Sequence, residues 1–208
     1  MTDHVARSLP FSELARGRRS VRSYRPDPIP RALVEQVLEA ARWAPSPHGR
    51  QPWRFVVLSR PEAKARLADS MGAEWRRQLS LDGDPPEIVE RRLTRSHQRI
   101  KEAPVCVVLC LYLDDLDVYP DRERQAAEET MAIQSLGAAA QNLLLAAYDL
   151  GLDGGWICAP LFCQDTVRQA LELPTSLFPH ALLTLGYAAQ DPKRREHRPV
   201  SELVVKYE

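Results

Sequence analysis

The 208-residue chain carries 28 basic and 28 acidic side chains, a formal net charge of zero, which argues against a dedicated nucleic-acid binder with its usual basic excess. Hydrophobic residues at 44% and charged residues at 27% match an ordinary globular protein and exclude wholesale disorder. A chain of this length is expected to form one domain, spanning 1–208, that buries about 70% of the surface its unfolded form exposes. The opening MTDHVARSLPFSEL has no apolar run followed by a small-residue cleavage site, so no secretory signal is expected. The most apolar stretch, residues 131–152, is interrupted by Gln134, Gln141, Asn142 and Asp149 and reads as a buried helix rather than a membrane span. Cys106, Cys110, Cys158 and Cys163 show no CxxC spacing and no histidine near either pair; free thiols in a reducing cytoplasm, with no metal site, are expected. Only four of the 28 basic residues are lysine, which leaves 24 arginines.

In chain order, Ser12 is placed to cap a short helix that Gly17 ends. Pro30 suits a first helical position, and Leu33, Val34, Val37, Leu38 and Ala41 follow the spacing of a buried helical face that must stop before Pro45. WRFVVL at 53–58 reads as a strand and residues 61–71 as a helix opened by Pro61. LDGDPPE at 81–87 reads as a polar loop. Residues 86–101 carry charge at nearly every turn and read as a solvated helix. VCVVLCLYL at 105–113 has the continuous apolar character of a strand covered on both faces. A long helix is expected over 123–150, ending at Gly151; its SLGAAAQNLLLAA centre is small or apolar on several sides, as suits a helix buried on more than one face. That burial is met either by the core of a monomer or by a seam between two copies. GGWICA reads as a short strand or turn, 164–172 as a helix, HALLTLGYA at 180–188 as a buried strand, and the SELVVKYE tail as extended. The alternation indicates a mixed α/β or α+β domain.

Three polar segments stand out. Arg18-Arg19-Ser20-Val21-Arg22 packs three guanidinium groups and a hydroxyl into five positions, the donor set that grips phosphate; a solvated basic turn has the same composition. Residues 44–55, APSPHGRQPWRF, join a helix end to a strand start, stiffened by prolines at 45, 47 and 52 and offering donors and acceptors from Ser46, His48, Arg50 and Gln51. A proline-rich connector is the alternative. KRREHRP at 193–199 is a second basic cluster, either a charged tail or the other half of a clasp on one anionic ligand.

Taken together, RRSVRSY at 18–24, APSPHGRQPWRFVVL at 44–58 and NLLLAAYDLGLDGGWICAPLF at 142–162 resemble the nitroreductase family of flavin-dependent oxidoreductases, over essentially the whole chain. Residues 71–104 and GGWICAPLFCQDTVRQALELP at 154–174 further resemble one subgroup, the FMN-binding C-terminal reductase domain of the bifunctional enzyme that matures coenzyme F-420; the ligase half of that fusion has no counterpart here. The resemblance implies an α+β fold, a central mixed β-sheet flanked by helices, in an intertwined homodimer with FMN at the interface. It implies that Arg18, Arg19 and Ser20 hold the FMN phosphate and ribityl chain and that Arg22 reaches the pyrimidine edge. Pro45, Ser46 and Gln51 would meet the flavin from the other subunit. Gly49 stands where the family often has asparagine, so His48 or Arg50 would replace that contact. Trp156, Ile157, Cys158 and Ala159 would run along the flavin, with a backbone N–H toward N5. Arg198, with Arg195 second, would lie near the phosphate.

By the same resemblance the flavin carries the chemistry, so no catalytic side chain is expected. The 71–100 region would cover the flavin: Trp75 stacks on an aromatic acceptor, and Arg76, Arg77, Arg91 and Arg95 engage acidic groups, unless they only form a solvated helix face. The implied activity is hydride transfer through the flavin to a conjugated acceptor, such as a dehydro precursor of coenzyme F-420. The alternatives are a general NAD(P)H-dependent nitroreductase or quinone reductase, and a non-catalytic flavin or deazaflavin binding protein. No GxGxxG follows a strand, so a nicotinamide donor would stack directly on the flavin.

Overall fold

A computed structural model describes residues 6–192 and 196–208. Its centre is a four-stranded sheet of β1 (Trp53–Leu58), β2 (Val105–Tyr112), β3 (Asp153–Ile157) and β4 (Leu177–Gly186), in the order β1-β2-β4-β3. Every pairing is antiparallel, which corrects the expected mixed sheet. The one parallel contact is an isolated bridge from Ser20 to Gly154 on the outer edge of β3. β1 and β2, and β3 and β4, are neighbours, whereas the connection from β2 to β3 crosses over the position of β4; because β4 runs antiparallel between them, no parallel ladder arises among these strands.

The sheet is buried on both faces, as the unbroken apolar run of β2 requires. Period-two alternation sends Val105, Val107, Leu109 and Leu111 toward α2 (Arg31–Arg42) and α5 (Arg122–Asp149). Cys106, Val108 and Cys110 face the other layer, built by α3 (Pro61–Leu81), α4 (Pro86–Glu102) and α6 (Gln164–Leu171). Small residues of α5 (Ala139, Ala140, Ala147) meet α2 and the sheet. The opposite face of α5 is open: Ile133 is 46% exposed, and a Cβ on Gly137 would meet nothing within 4 Å. No helix among the described residues is long and apolar enough to cross a membrane.

Several boundaries differ from the sequence reading. The short first helix, α1 (Phe11–Gly17), begins before Ser12 and has no side-chain cap; Pro10 stands at its start. Gly17 is needed because a Cβ there would lie 2.6 Å from the Tyr148 hydroxyl of α5. Pro30 is the cap of α2 and not its first residue. The helix from Pro61 runs to Leu81, so the loop after it shrinks to residues 82–85. In α4, Val89, Leu93 and Ile100 are buried, so its charges occupy one side of an amphipathic helix rather than a solvated rod. The tail forms a turn of helix, α7 (Val200–Leu203), before it extends.

The turn after α1 is fastened to β3. Val21 N–H donates to the Gly154 carbonyl at 2.9 Å, and the buried Tyr24 hydroxyl bridges to Val21 O at 2.9 Å and Thr184 Oγ1 at 2.7 Å. Burial raises the Tyr24 phenol pKa, so it stays protonated and able to donate. Tyr24→Phe removes this buried bridge between the turn and β4, and its unfolding free energy in urea is expected to fall by about 1–3 kcal/mol.

Candidate active site

Beneath the α3–α4 hairpin lies a cavity of about 910 Å³. Its floor is the end of β3 and the 3-10 turn that follows, through Ile157, Cys158, Ala159 and Phe162. Met71, Trp75 and Gln78 of α3 form one wall; Arg91, Arg92, Arg95, Ser96 and Arg99 of α4 form the other. The strand register explains why Ile157 lines the cavity and Trp156 does not. Ile157 pairs with Leu182, which faces the α3 layer, whereas Trp156 pairs with Leu183 on the opposite face and is 37% exposed.

The arginine turn lies along the edge of β3, the strand whose end floors the cavity, and Arg18, Arg19, Ser20 and Arg22 are not themselves part of the cavity lining. Gly155 permits the approach: a Cβ there would lie 2.4 Å from the Val21 carbonyl. Arg18 is half-buried, and its Nε is buried without a partner. Burial and the charge of Arg19 both push its pKa down. Arg19 is differently committed, donating to the carbonyls of Arg16 and, at 2.7 Å, Arg18. Ser20 is exposed at its bridge to Gly154. Arg22 lies within electrostatic range of Arg99 on the cavity wall; burial, Arg22 and Arg95 together lower the Arg99 pKa. Arg99 was not singled out by the sequence, although it continues the four-residue spacing of Arg91 and Arg95.

The arginines of the hairpin divide into two sets. Arg76 pairs with Glu90, Arg92 with Asp84, and Arg77 with Glu74 at 2.6 Å. Arg77 therefore points away from the cavity that Trp75 and Arg91 line. The guanidinium groups of Arg22, Arg91, Arg95 and Arg99 have no acidic partner among the described residues.

The 44–52 loop sits elsewhere. It leads into β1, at the opposite edge of the sheet from β3, so neither Pro45, Ser46, His48, Arg50 nor Gln51 lines the cavity. Three strand spacings, about 14 Å, separate the two edges. Ser46 Oγ accepts from Gln51 N–H at 3.0 Å, and Arg50 is held by Asp117 at 2.5 Å. His48 and Gln51 adopt φ of 53° and 48°, a left-handed conformation that costs a non-glycine residue energy and that the surrounding turn must enforce. Arg198 is exposed in the tail, and Arg195 falls outside the described residues.

Cys158 is exposed at the cavity floor, and Cys163 beside it donates to the Ala159 carbonyl at 3.3 Å, its thiol pushed up to about 11 by burial. Cys106 and Cys110, buried in the sheet, are each pushed up to about 12. All four are free.

Comparison with known proteins agrees with this architecture. The nitroreductase family model matches residues 15–187. An NADH dehydrogenase of Thermus thermophilus is 30% identical over 216 residues, covering 90% of this chain and 91% of that protein. A nitroreductase-type structure from Desulfovibrio desulfuricans, solved in complex with FMN, is 28% identical with a TM-score of 0.73, covering 97% of this chain and 98% of that one. The NADPH:FMN oxidoreductase of Vibrio harveyi, solved with NAD+, shares the fold at 21% identity and a TM-score of 0.70, over 95% of this chain and 77% of that one. By the family model, the relatives and the shared fold, the chain belongs to the nitroreductase family of oxidoreductases.

Proposed function

We propose that this protein is an FMN-dependent oxidoreductase that takes a hydride from NADH or NADPH and passes it to a conjugated acceptor, working as a homodimer. The observation that carries the reading is the buried, partnerless Nε of Arg18 on a turn held against β3, together with Arg99 on the cavity wall, which has no acidic partner among the described residues and lies within electrostatic range of Arg22 on that turn. This donor set fits FMN, which is anionic at its phosphate and gains negative charge at its pyrimidine edge on reduction. The names of the relative from Thermus thermophilus and of the FMN-bound structure support the same cofactor and donor class.

When bound, FMN supplies the ring that accepts and donates the hydride. The chain's residues do the rest. Arg18 and Ser20 hold the phosphate, while Arg19 holds the shape of the turn. Arg22 and Arg99 present positive charge to the edge where negative charge develops, a preorganised electrostatic role of the oxyanion-hole type. Ile157, Cys158 and Ala159 form the surface on which the ring lies. No side chain is needed as nucleophile or general base, and Cys158 serves as a small residue.

A second copy completes the site. The 44–52 loop cannot reach the cavity of its own chain, and a twofold partner would bring it there. The open face of α5 around Ile133 and Gly137 supports such a partner. So do Trp43, 73% exposed, and the tail, in which Val200, Leu203, Val205 and Tyr207 are 63% to 99% exposed. Exposed apolar side chains in such number favour association. The resemblance of residues 71–104 to the coenzyme F-420 maturation enzyme makes a dehydro F-420 precursor one candidate acceptor; quinones and nitroaromatics are the others.

Purified protein is expected to retain FMN, to lose the oxidised flavin absorbance on addition of NADH or NADPH, and to regain it with menadione. Parallel double-reciprocal plots are expected, because donor and acceptor take turns in one cavity. A protein that takes up no FMN would overturn the reading. Arg18→Ala is expected to weaken FMN binding by about 1.5–3 kcal/mol, measured by equilibrium titration. Gly155→Ala drives a methyl into the Val21 carbonyl; FMN affinity and unfolding free energy should fall together, the latter by about 1–3 kcal/mol. Arg22→Gln and Arg99→Gln are expected to slow flavin reduction by roughly 10²–10³-fold in stopped flow, with a smaller effect on FMN affinity.

A further inference from the structure

The stripe formed by Arg91, Arg95 and Arg99 is costly to build. The three follow one another at four-residue intervals along α4, so like charges stand on one face of one helix, a spacing that weakens the helix. Carboxylates were within reach: Glu90, Asp84 and Glu74 lie on the same hairpin, and each is bound to an arginine that does not belong to the stripe. Arg76 and Arg77, off the cavity, and Arg92, on its wall, are neutralised, and the stripe is not. Its charge faces a cavity whose other wall and floor, through Trp75, Met71, Ile157 and Phe162, are apolar or aromatic. Asp82 is the only carboxylate in that lining.

A helix rises 1.5 Å per residue, so Arg95 stands about 6 Å and Arg91 about 12 Å from Arg99 along α4. Arg99, next to Arg22, belongs to the flavin end of the cavity. Arg91 and Arg95 lie beyond it, toward the α3–α4 turn.

We infer that Arg91 and Arg95 form a subsite for an acidic group, carboxylate, sulfonate or phosphate, carried by the planar reactant that docks over the flavin. The inference rests on the flavin reading above and deepens it: the reactant is an aromatic or quinonoid body facing Trp75 with a negative charge about 6–12 Å beyond the flavin's charged edge. A neutral quinone satisfies the apolar wall and leaves the cationic wall unmatched. The acidic group has two possible sources, the phosphates of the nicotinamide donor or an acidic substituent of the acceptor.

The test compares the FMN-loaded parent with R91Q/R95Q and with R91K/R95K. Both positions are exposed on α4, so the substitutions leave the core untouched. Binding of anthraquinone-2-sulfonate and of neutral 2-(hydroxymethyl)anthraquinone is measured by calorimetry. Turnover of the same two acceptors is measured with the uncharged donor 1-benzyl-1,4-dihydronicotinamide, and turnover of menadione with NADH and NADPH. The expected result is a parent preference for the sulfonate that falls at least tenfold in R91Q/R95Q, is partly restored in R91K/R95K and shrinks with added salt. This outcome makes the acceptor the source of the charge. If the sulfonate preference is unchanged while kcat/KM for NADH or NADPH falls tenfold, the subsite stands and the donor phosphates are its ligand. If neither the sulfonate preference nor nucleotide use changes, the subsite is overturned. Loss of FMN binding would instead defeat the flavin reading, and the calorimetric preference for the sulfonate still decides the subsite in that case.

Discussion

The placement of the basic turn depends on how closely one segment of chain can lie against one strand. The turn from Arg18 to Tyr24 approaches β3 at Gly154 and Gly155, where no side chain stands in its way, and the Tyr24 hydroxyl ties it to Thr184 on the next strand. That contact converts two arginines of a flexible segment into fixed charges. Arg18 is drawn under the edge of the sheet, and Arg22 is set beside Arg99 of a helix from a distant part of the chain. Cations held apart from acids in this way are unfavourable until an anion arrives. The backbone bonds of the turn, rather than the arginines themselves, supply the stability that keeps them there.

The distribution of the remaining guanidinium groups follows a consistent rule. On α3 and α4, Arg76 and Arg77, which do not line the cavity, and Arg92, which does, are matched to carboxylates three or more residues away, whereas Arg91, Arg95 and Arg99 on the cavity wall are not. Surface pairs of this kind contribute little to folding. Their effect is to remove competing charge from the outside of the hairpin, which leaves the field of the cavity wall uncancelled. A chain with no net charge thus carries a concentrated positive surface where it is enclosed.

Much of the fold was legible in the residues. The apolar run of β2, the small-residue centre of α5 and the Pro-led start of α3 each identified its element, because burial and proline chemistry act locally. The antiparallel sheet was not legible: strand direction depends on where each helix delivers the chain, and neither spacing nor composition carries that information. The length of α3 was missed because Gly72 and polar residues beyond Met71 conceal a helix that is held by its partner, α4, through Trp75, Leu79, Val89 and Leu93. At the site, the basic turn and residues 157–159 were recognisable as motifs. Arg99 was not, since its role comes from facing Arg22 across a gap of 77 positions. Trp156 and Arg77 looked equivalent to their neighbours in sequence, and only the pleat of β3 and the pairing with Glu74 separate them from the cavity.

The tie between Tyr24 and Thr184 spans 160 positions. During synthesis the N-terminal turn emerges early; β3 offers it a first contact, but the tie to Thr184 cannot close until the final strand leaves the ribosome. A truncated chain ending before β4 would lack the partner strand of β3 as well as the clamp on the turn. The clamp on the basic turn is thus a contact that only a chain carrying both its early turn and its last strand can make.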